Sequence, residues 1–432
     1  MTSAQPISRT QRSQFESIFR TTLTNSRYHR YMITTAPPKP IERSTLGDTT
    51  RKIFKVPNFI LALLLFLAIE FWFAFSHPFA KIETINLDRS EAYCASASYL
   101  KTNKPPYTVI LGSSLVAAAV LQAEADFRQA PFARMLDRQS KFIENWFLKN
   151  KNVQANVYCL ATGGEMVSDA YFIAKHNFKG PHTPKTVIYG VAPRDFQDNL
   201  LPSIDSSMAF KSLAQLEDLG PFLNRPGQSL EEKGDLILSR ISSLWRYRND
   251  SKTYFCLRSK KLIEKVLPFV VFDKYGETLE LKPRKKGFFP EEAKGTLMSY
   301  PGIPLEHLSF EKTQQEYIRR YNPAKPKLID SEFGYLEKLI ALCQTKHIQL
   351  ILVNMPLSQS NKDLMPKDLY INYNQRLHKV VTDNKLELID LNDKQWSIES
   401  NYVDGVHLTP QASQSFLSCI LERVSTENSN SN

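Results

Sequence analysis

The sequence predicts an α/β fold: a doubly wound, parallel five-stranded sheet with helices on both faces, one N-terminal transmembrane helix and a large insertion between strands 3 and 4. Three observations carry that expectation. Five short apolar runs of β type alternate with helical patterns, a single long apolar run stands near the N-terminus, and the stretch 195–332 shows neither pattern consistently.

The five runs are Thr108–Leu111, Ala155–Leu160, Thr186–Val191, Ile348–Val353 and Leu386–Leu391. They are continuously apolar, as strands buried on both faces must be. Helical periodicity appears over Val116–Phe127, Met166–His176, Phe333–Lys346, Tyr370–Asn384 and Pro410–Val424. Strand followed by helix, repeated, implies βαβ crossovers and therefore a parallel sheet.

From Phe59 to Phe75 the chain reads FILALLLFLAIEFWFAF, with Glu70 its one charge. That length just spans a bilayer, and a core helix of a soluble domain would carry a polar face that this one lacks. Trp72 among phenylalanines near the far end suits the interface. Arg51, Lys52 and Lys55 precede the run, so the positive-inside rule puts the N-terminus in the cytoplasm and the remainder outside it. A cleaved signal peptide is the alternative, but a 56-residue leader before the apolar run is too long for one. Glu70 must snorkel or face a partner helix.

The expected organisation is a disordered basic tail (1–56), a transmembrane helix (57–76), a linker (77–106) and the first part of the α/β domain (107–194). An insertion or cap (195–332), the second part of the domain (333–425) and a disordered tail (426–432) complete it.

The net charge of +11 would suit a nucleic-acid partner, but residues 1–56 hold +7 of it and the other 376 residues only +4. Clusters at Arg258, Lys260, Lys261 and at Lys282, Arg284, Lys285, Lys286 accompany no nucleic-acid motif, so solvated surface is the simpler account. The five cysteines are widely spaced without a metal pattern, and Cys159, Cys343 and Cys419 lie in apolar runs that suit buried small residues. Neither a metal nor an organic cofactor is implied.

Open parallel sheets bind ligands beyond the carboxyl ends of their strands. Those positions hold Gly112-Ser113-Ser114-Leu115, Ala161-Thr162-Gly163-Gly164-Glu165, Ala192-Pro193-Arg194-Asp195, Asn354-Met355-Pro356 and Asp404-Gly405-Val406-His407-Leu408-Thr409-Pro410. Ser114 at a strand-to-helix turn gains from the helix N-terminus, although a bare G-S-S more often only caps a helix. Asp404 and His407, three residues apart on a loop, allow the imidazole to face a serine while the carboxylate holds its other nitrogen. Thr409-Pro410 then supplies an N-cap and an N1 proline for the last helix.

These motifs resemble the SGNH (GDSL-type) hydrolase family over roughly 107–195 and 335–424, Gly112–Leu115 matching its first block and Asp404–Leu408 its last. The resemblance implies Ser114 as nucleophile, with Asp404 and His407 completing a triad. It also implies oxyanion donors in the N–H groups of Ser114 and Gly163. The chain departs from the family at the third block, where Ala192 stands in place of an asparagine. Loss of one such donor costs about 3 kcal/mol of transition-state stabilisation. Arg194 and Asn354 are the candidates to replace it, and for Arg194 with Asp195 a loop ion pair is the plainer alternative. The membrane anchor, the proline in the third block and Asn354-Met355-Pro356 resemble a narrower branch, that of the D-alanine transfer and alginate acetyltransfer proteins of bacterial envelopes. That likeness implies acylation or deacylation of an envelope glycan beside a membrane-bound O-acyltransferase. A lipid or small-ester hydrolase, or an inactive envelope protein of the same fold, would share the motifs.

Overall fold

The computed structural model describes residues 58–76, 91–102, 107–128, 137–201, 203–225, 228–267 and 310–427. The basic tail, the Lys282–Lys286 cluster, most of the linker and the last five residues lie outside them.

Helix α1 (Asn58–Ser76) is long and apolar enough to cross a membrane, and most of its side chains are exposed. Helix α2 (Glu91–Tyr99) leads to strand β1 (Thr108–Gly112), helix α3 (Ser114–Arg128) and helix α4 (Lys141–Lys151). The signals for α4 are local and were not read from the sequence. Ser140 accepts the N–H of Ile143, Lys149 and Lys151 occupy the last turn, and Asn152 closes the helix in the left-handed region at φ 53°. The cap contributes about 1 kcal/mol, and Ile143 with Phe147 supplies the buried i, i+4 face.

Strand β2 (Val157–Cys159), helix α5 (Val167–Asn177), strand β3 (Thr186–Val191) and the single turn α6 (Pro193–Phe196) follow. Between β3 and β4 the described residues are mainly helical: α7 (Met208–Leu213), α8 (Leu230–Ile241), α9 (Ser243–Arg246), α10 (Arg248–Val266) and α11 (Phe310–Tyr321). Helix α12 (Pro326–Thr345) starts seven residues before the expected Phe333, because Pro326 fits the first turn, where no intrahelical N–H is needed. Strand β4 (Gln349–Asn354), helix α13 (Lys367–Asn384), strand β5 (Glu387–Asp390) and helix α14 (Pro410–Glu427) complete the chain.

The sheet is five-stranded and parallel throughout, in the order β2-β1-β3-β4-β5. All five expected strands are present within two residues at each end. Alternate side chains enter two cores. Ile110, Ile188, Ile351 and Val353 meet α3, α4 and α14 on one face. Val109, Leu111, Val187, Tyr189 and Leu352 meet α2, α5, α12 and α13 on the other. Cys159 and Cys343 are buried among these residues, one on each face, while Cys419 is only partly covered. The chain leaves β1 outward to β2 and returns to β3, so the topological switch falls between β1 and β3.

Candidate active site

Ser114 stands at that switch. Gly112 pairs with Gly190 across β1 and β3, and both positions are sterically committed to glycine. A Cβ on Gly112, at φ +142°, would lie 2.5 Å from Val116 Cγ2 and 2.8 Å from the Gly190 carbonyl oxygen. One on Gly190 would lie 2.3 Å from Val116 Cγ2 and 2.7 Å from Met355 Sδ. The pair thus lets the first turn of α3 settle directly over the strand ends, with Ser114 as its first residue.

The partner residues arrive on the loop after β5. Asp404 Oδ1 accepts the N–H groups of Val406 at 3.2 Å and His407 at 2.9 Å, and its Oδ2 lies 2.8 Å from His407 Nδ1. His407 Nε2 is 3.0 Å from Ser114 Oγ. The structure therefore brings Ser114, His407 and Asp404 into one continuous hydrogen-bonded line. Burial opposes ionisation of Asp404, but the adjacent imidazole and the donated N–H groups outweigh it and hold the carboxyl below its ordinary value. An ionised Asp404 accepts from Nδ1–H, which leaves Nε2 as the acceptor toward the serine hydroxyl.

The loop is held from several sides. Val403 N–H donates to the His407 carbonyl at 2.8 Å, and Tyr402 bridges Leu408 in antiparallel fashion. Ser358 Oγ donates to the Gly405 carbonyl at 2.6 Å. Gln122 Nε2 donates to the Leu408 carbonyl at 2.8 Å. Gln122 rides on α3, two turns beyond Ser114, so it couples the serine's helix to the histidine's loop. Thr409 caps α14 as expected, its hydroxyl accepting the Ala412 N–H at 3.2 Å.

The residues expected to complete an oxyanion hole are otherwise engaged. Gly163 N–H donates to Glu91 Oε2 at 2.8 Å, and Glu91 is ion-paired through Oε1 to the fully buried Arg138. Arg138 is anchored in turn on the Ala161 carbonyl at 3.0 Å. Arg194 donates to the Glu165 carbonyl at 2.8 Å and to Asp198 at 2.8 Å, and lies 3.3 Å from Asp195. Its guanidinium is thus fixed in a buried ion-pair cluster, the plainer of the two sequence readings. Asn354 Nδ2 donates to Asp390 at 3.1 Å while its Oδ1 accepts from Tyr373 at 2.8 Å, so this side chain bridges β4, β5 and α13. Neither contact set supports Arg194 or Asn354 as the replacement for the missing asparagine. At the third block Ala192 is buried, and its N–H donates to Asp195 Oδ2 at 2.9 Å.

A cavity of about 320 Å³ opens on the Gly163 side, lined by Glu91, Gly163, Glu165, Arg194, Asp198 and Arg320 among others. A larger groove of about 1040 Å³ lies elsewhere, between Phe222, Arg225 and the start of α12, and no triad residue lines it. Burial, reinforced by Asp169, pushes the Glu165 carboxyl well above its ordinary range. Sequence reasoning missed Glu91, Arg138, Gln122 and Ser358. Each lies outside the strand-end motifs, and nothing in the local pattern marks it.

Fold and site together define an α/β protein with a Ser-His-Asp constellation at the carboxyl edge of a parallel sheet. Residues 311–429 match a protein-family model that carries no description. No curated protein matches the chain. Among the 13 solved chains that match is a presumptive acylhydrolase from Bacteroides fragilis, at TM-score 0.34 and 10% identity, over 77% of this chain and 94% of that one.

Proposed function

We propose that the protein is a membrane-anchored serine esterase or O-acyltransferase of SGNH type. The observation that carries the proposal is the unbroken Ser114–His407–Asp404 line, with contacts of 3.0 and 2.8 Å. In this reading Ser114 Oγ attacks an ester carbonyl while His407 Nε2 takes its proton, and Asp404 stabilises the resulting imidazolium. His407 then returns the proton to the departing alcohol, which leaves an acyl-serine. Water or an acceptor hydroxyl, deprotonated by the same imidazole, attacks the acyl group and releases the serine. The N–H of Ser114 at the start of α3 is the oxyanion donor nearest the nucleophile.

With α1 as a span, the charge pattern around it supports an N-terminus in the cytoplasm and a site outside it. An envelope glycan ester is the substrate class this placement favours, with a membrane-bound O-acyltransferase as the partner. The second reading is a resting or inactive site, and the contact between Glu91 and Gly163 N–H is the observation that favours it.

A fluorophosphonate probe separates the two readings. Labelling of the wild type that is lost in Ser114→Ala supports covalent catalysis, and a folded wild type that resists the probe sinks it.

A further inference from the structure

The site leaves one charged group unexplained, the carboxylate of Glu70 in the apolar helix α1. It is not exposed to solvent alone. Glu70 Oε2 accepts from Ser242 Oγ at 2.9 Å and from Leu244 N–H at 3.1 Å, and Oε1 accepts the N–H of Ser243. These donors are Ser242, which joins α8 to α9, and the first two residues of α9. One turn of α1 further on, Phe73 packs on Tyr247 with ring centroids 6.3 Å apart, and both are almost fully buried. Tyr247 OH lies 3.2 Å from the hydroxyl of Tyr93 in α2. The segment Ser242–Tyr247 is therefore seated on the side of α1.

Position along α1 makes this contact informative. Glu70 precedes the end of the helix at Ser76 by six residues, about 9 Å at 1.5 Å per residue. All 19 residues of α1 amount to about 28 Å, roughly one hydrocarbon thickness. If α1 crosses a bilayer, Glu70 lies well below the surface on the Ser76 side, and groups bonded directly to it lie there as well. A carboxylate at that depth needs donors from the protein, and here it has three. Apolar side chains flank the contact: Leu238 is 38% exposed and Ile241 60%, while Trp245, 39% exposed, donates its indole N–H to Asp235 at 2.7 Å and carries the Arg248 guanidinium over its ring. In α10, Leu262 and Val266 are likewise exposed. Lys252, Arg258 and Lys265 are exposed on α10, cations of the kind that pair with anionic headgroups.

We infer that α8, α9 and α10 form a monotopic membrane element whose turn at Ile241–Trp245 dips into the leaflet on the Ser76 side, locked to the span through Glu70. Lipid is the occupant that fits, because exposed apolar side chains flank a contact made directly on the apolar helix α1 and exposed cations stand on the same helices. The inference rests on the reading of α1 as a span.

The test uses the full chain in phosphatidylcholine/phosphatidylglycerol nanodiscs, with tryptophan emission quenched by lipids brominated in the upper acyl chain. Of the four tryptophans, Trp72 reports on the span and Trp245 on the turn. Trp72→Phe is expected to retain a lipid-quenched fraction that falls at least twofold in Trp72→Phe/Trp245→Phe. Adding Ile241→Trp to the double variant should restore it, which guards against local damage from loss of the indole at 245. Quenching of Trp72 without quenching at 245 or 241 overturns the monotopic element and leaves the span intact. An unquenched Trp72 overturns the span and the element together.

Discussion

Glu91 holds the backbone N–H of Gly163 at 2.8 Å, so a carboxylate from the helix that follows the apolar segment sits on a donor at the end of β2. If that donor serves an oxyanion, Glu91 must leave before it can act. Glu91→Ala alone strands Arg138, whose side chain is fully buried, and breaking such a pair costs about 3–5 kcal/mol. Glu91→Ala/Arg138→Met removes both charges and should recover most of that loss. An oxyanion donor is worth 10²–10³ in rate, so the double variant should acylate at least ~10-fold faster in burst kinetics with an activated ester. An unchanged burst rate in a folded double variant would show that Gly163 is not a donor in the reaction.

Asp404→Asn leaves the loop's outline intact but offers an amide where His407 Nδ1 needs a carboxylate. The expected result is a fall in kcat of about 10³–10⁴ with little change in melting temperature. Steady-state hydrolysis and a thermal melt on the same preparation check it.

Gln122 joins α3 to the histidine loop with a buried hydrogen bond to Leu408 O. Gln122→Leu leaves that carbonyl unsatisfied at a cost of about 1–3 kcal/mol. Because the bond sets the separation of Ser114 and His407, kcat should fall further than the stability loss alone explains, while KM stays near its wild-type value. A variant that melts earlier but turns over normally at low temperature would make Gln122 structural only.

Two glycines should respond in opposite senses. Gly190→Ala drives a methyl into Val116 and Met355 and should destabilise by about 1–3 kcal/mol while displacing Ser114. Gly334 lies within α12 with nothing inside 4 Å of an added Cβ, so Gly334→Ala should stabilise by about 0.4–1 kcal/mol. Chemical denaturation of both variants decides the pair.

Burial pushes the carboxyls of Asp169 and Asp195 up to about 6. Their ordinary value is 3.8, so between these values the folded protein holds protons that the unfolded chain has released. Together they lower stability as pH rises from about 4 to about 6, by more than the buried His176 imidazole, held down to about 4, raises it over the same range. Asp404 acts in the opposite sense, since its carboxyl is held below 3.8, and only at lower pH. Melting temperatures across pH 4–8 should trace the decline, and Asp169→Asn should flatten it. A rise over pH 4–6 contradicts the assignment.

The sheet was legible because its strands are buried on both faces, so the apolar runs at Thr108, Thr186 and Ile348 carry no competing pattern. Ser114, Asp404 and His407 were legible because strand-end loops concentrate chemistry, and the structure does bring the three together. The contacts of Arg194 and Asn354 were not, since a polar side chain after a strand can turn toward the site or back into the fold. Only the positions of Asp198, Asp390 and Tyr373 decide which. Glu91 was hidden for the same reason: its partners, Gly163 and Arg138, are 72 and 47 residues away. Helix α4 escaped because its signal lies in Ser140 and Asn152, at the caps, rather than in a long apolar period.

The line from Ser114 to His407 joins positions 293 residues apart, one just after the first strand and the other past the last. A partly synthesised chain therefore carries a serine without a base, whatever else has already folded. If Ser114 is the nucleophile, it stays without its base until the loop after β5 emerges and docks, so the order of translation delays its activation.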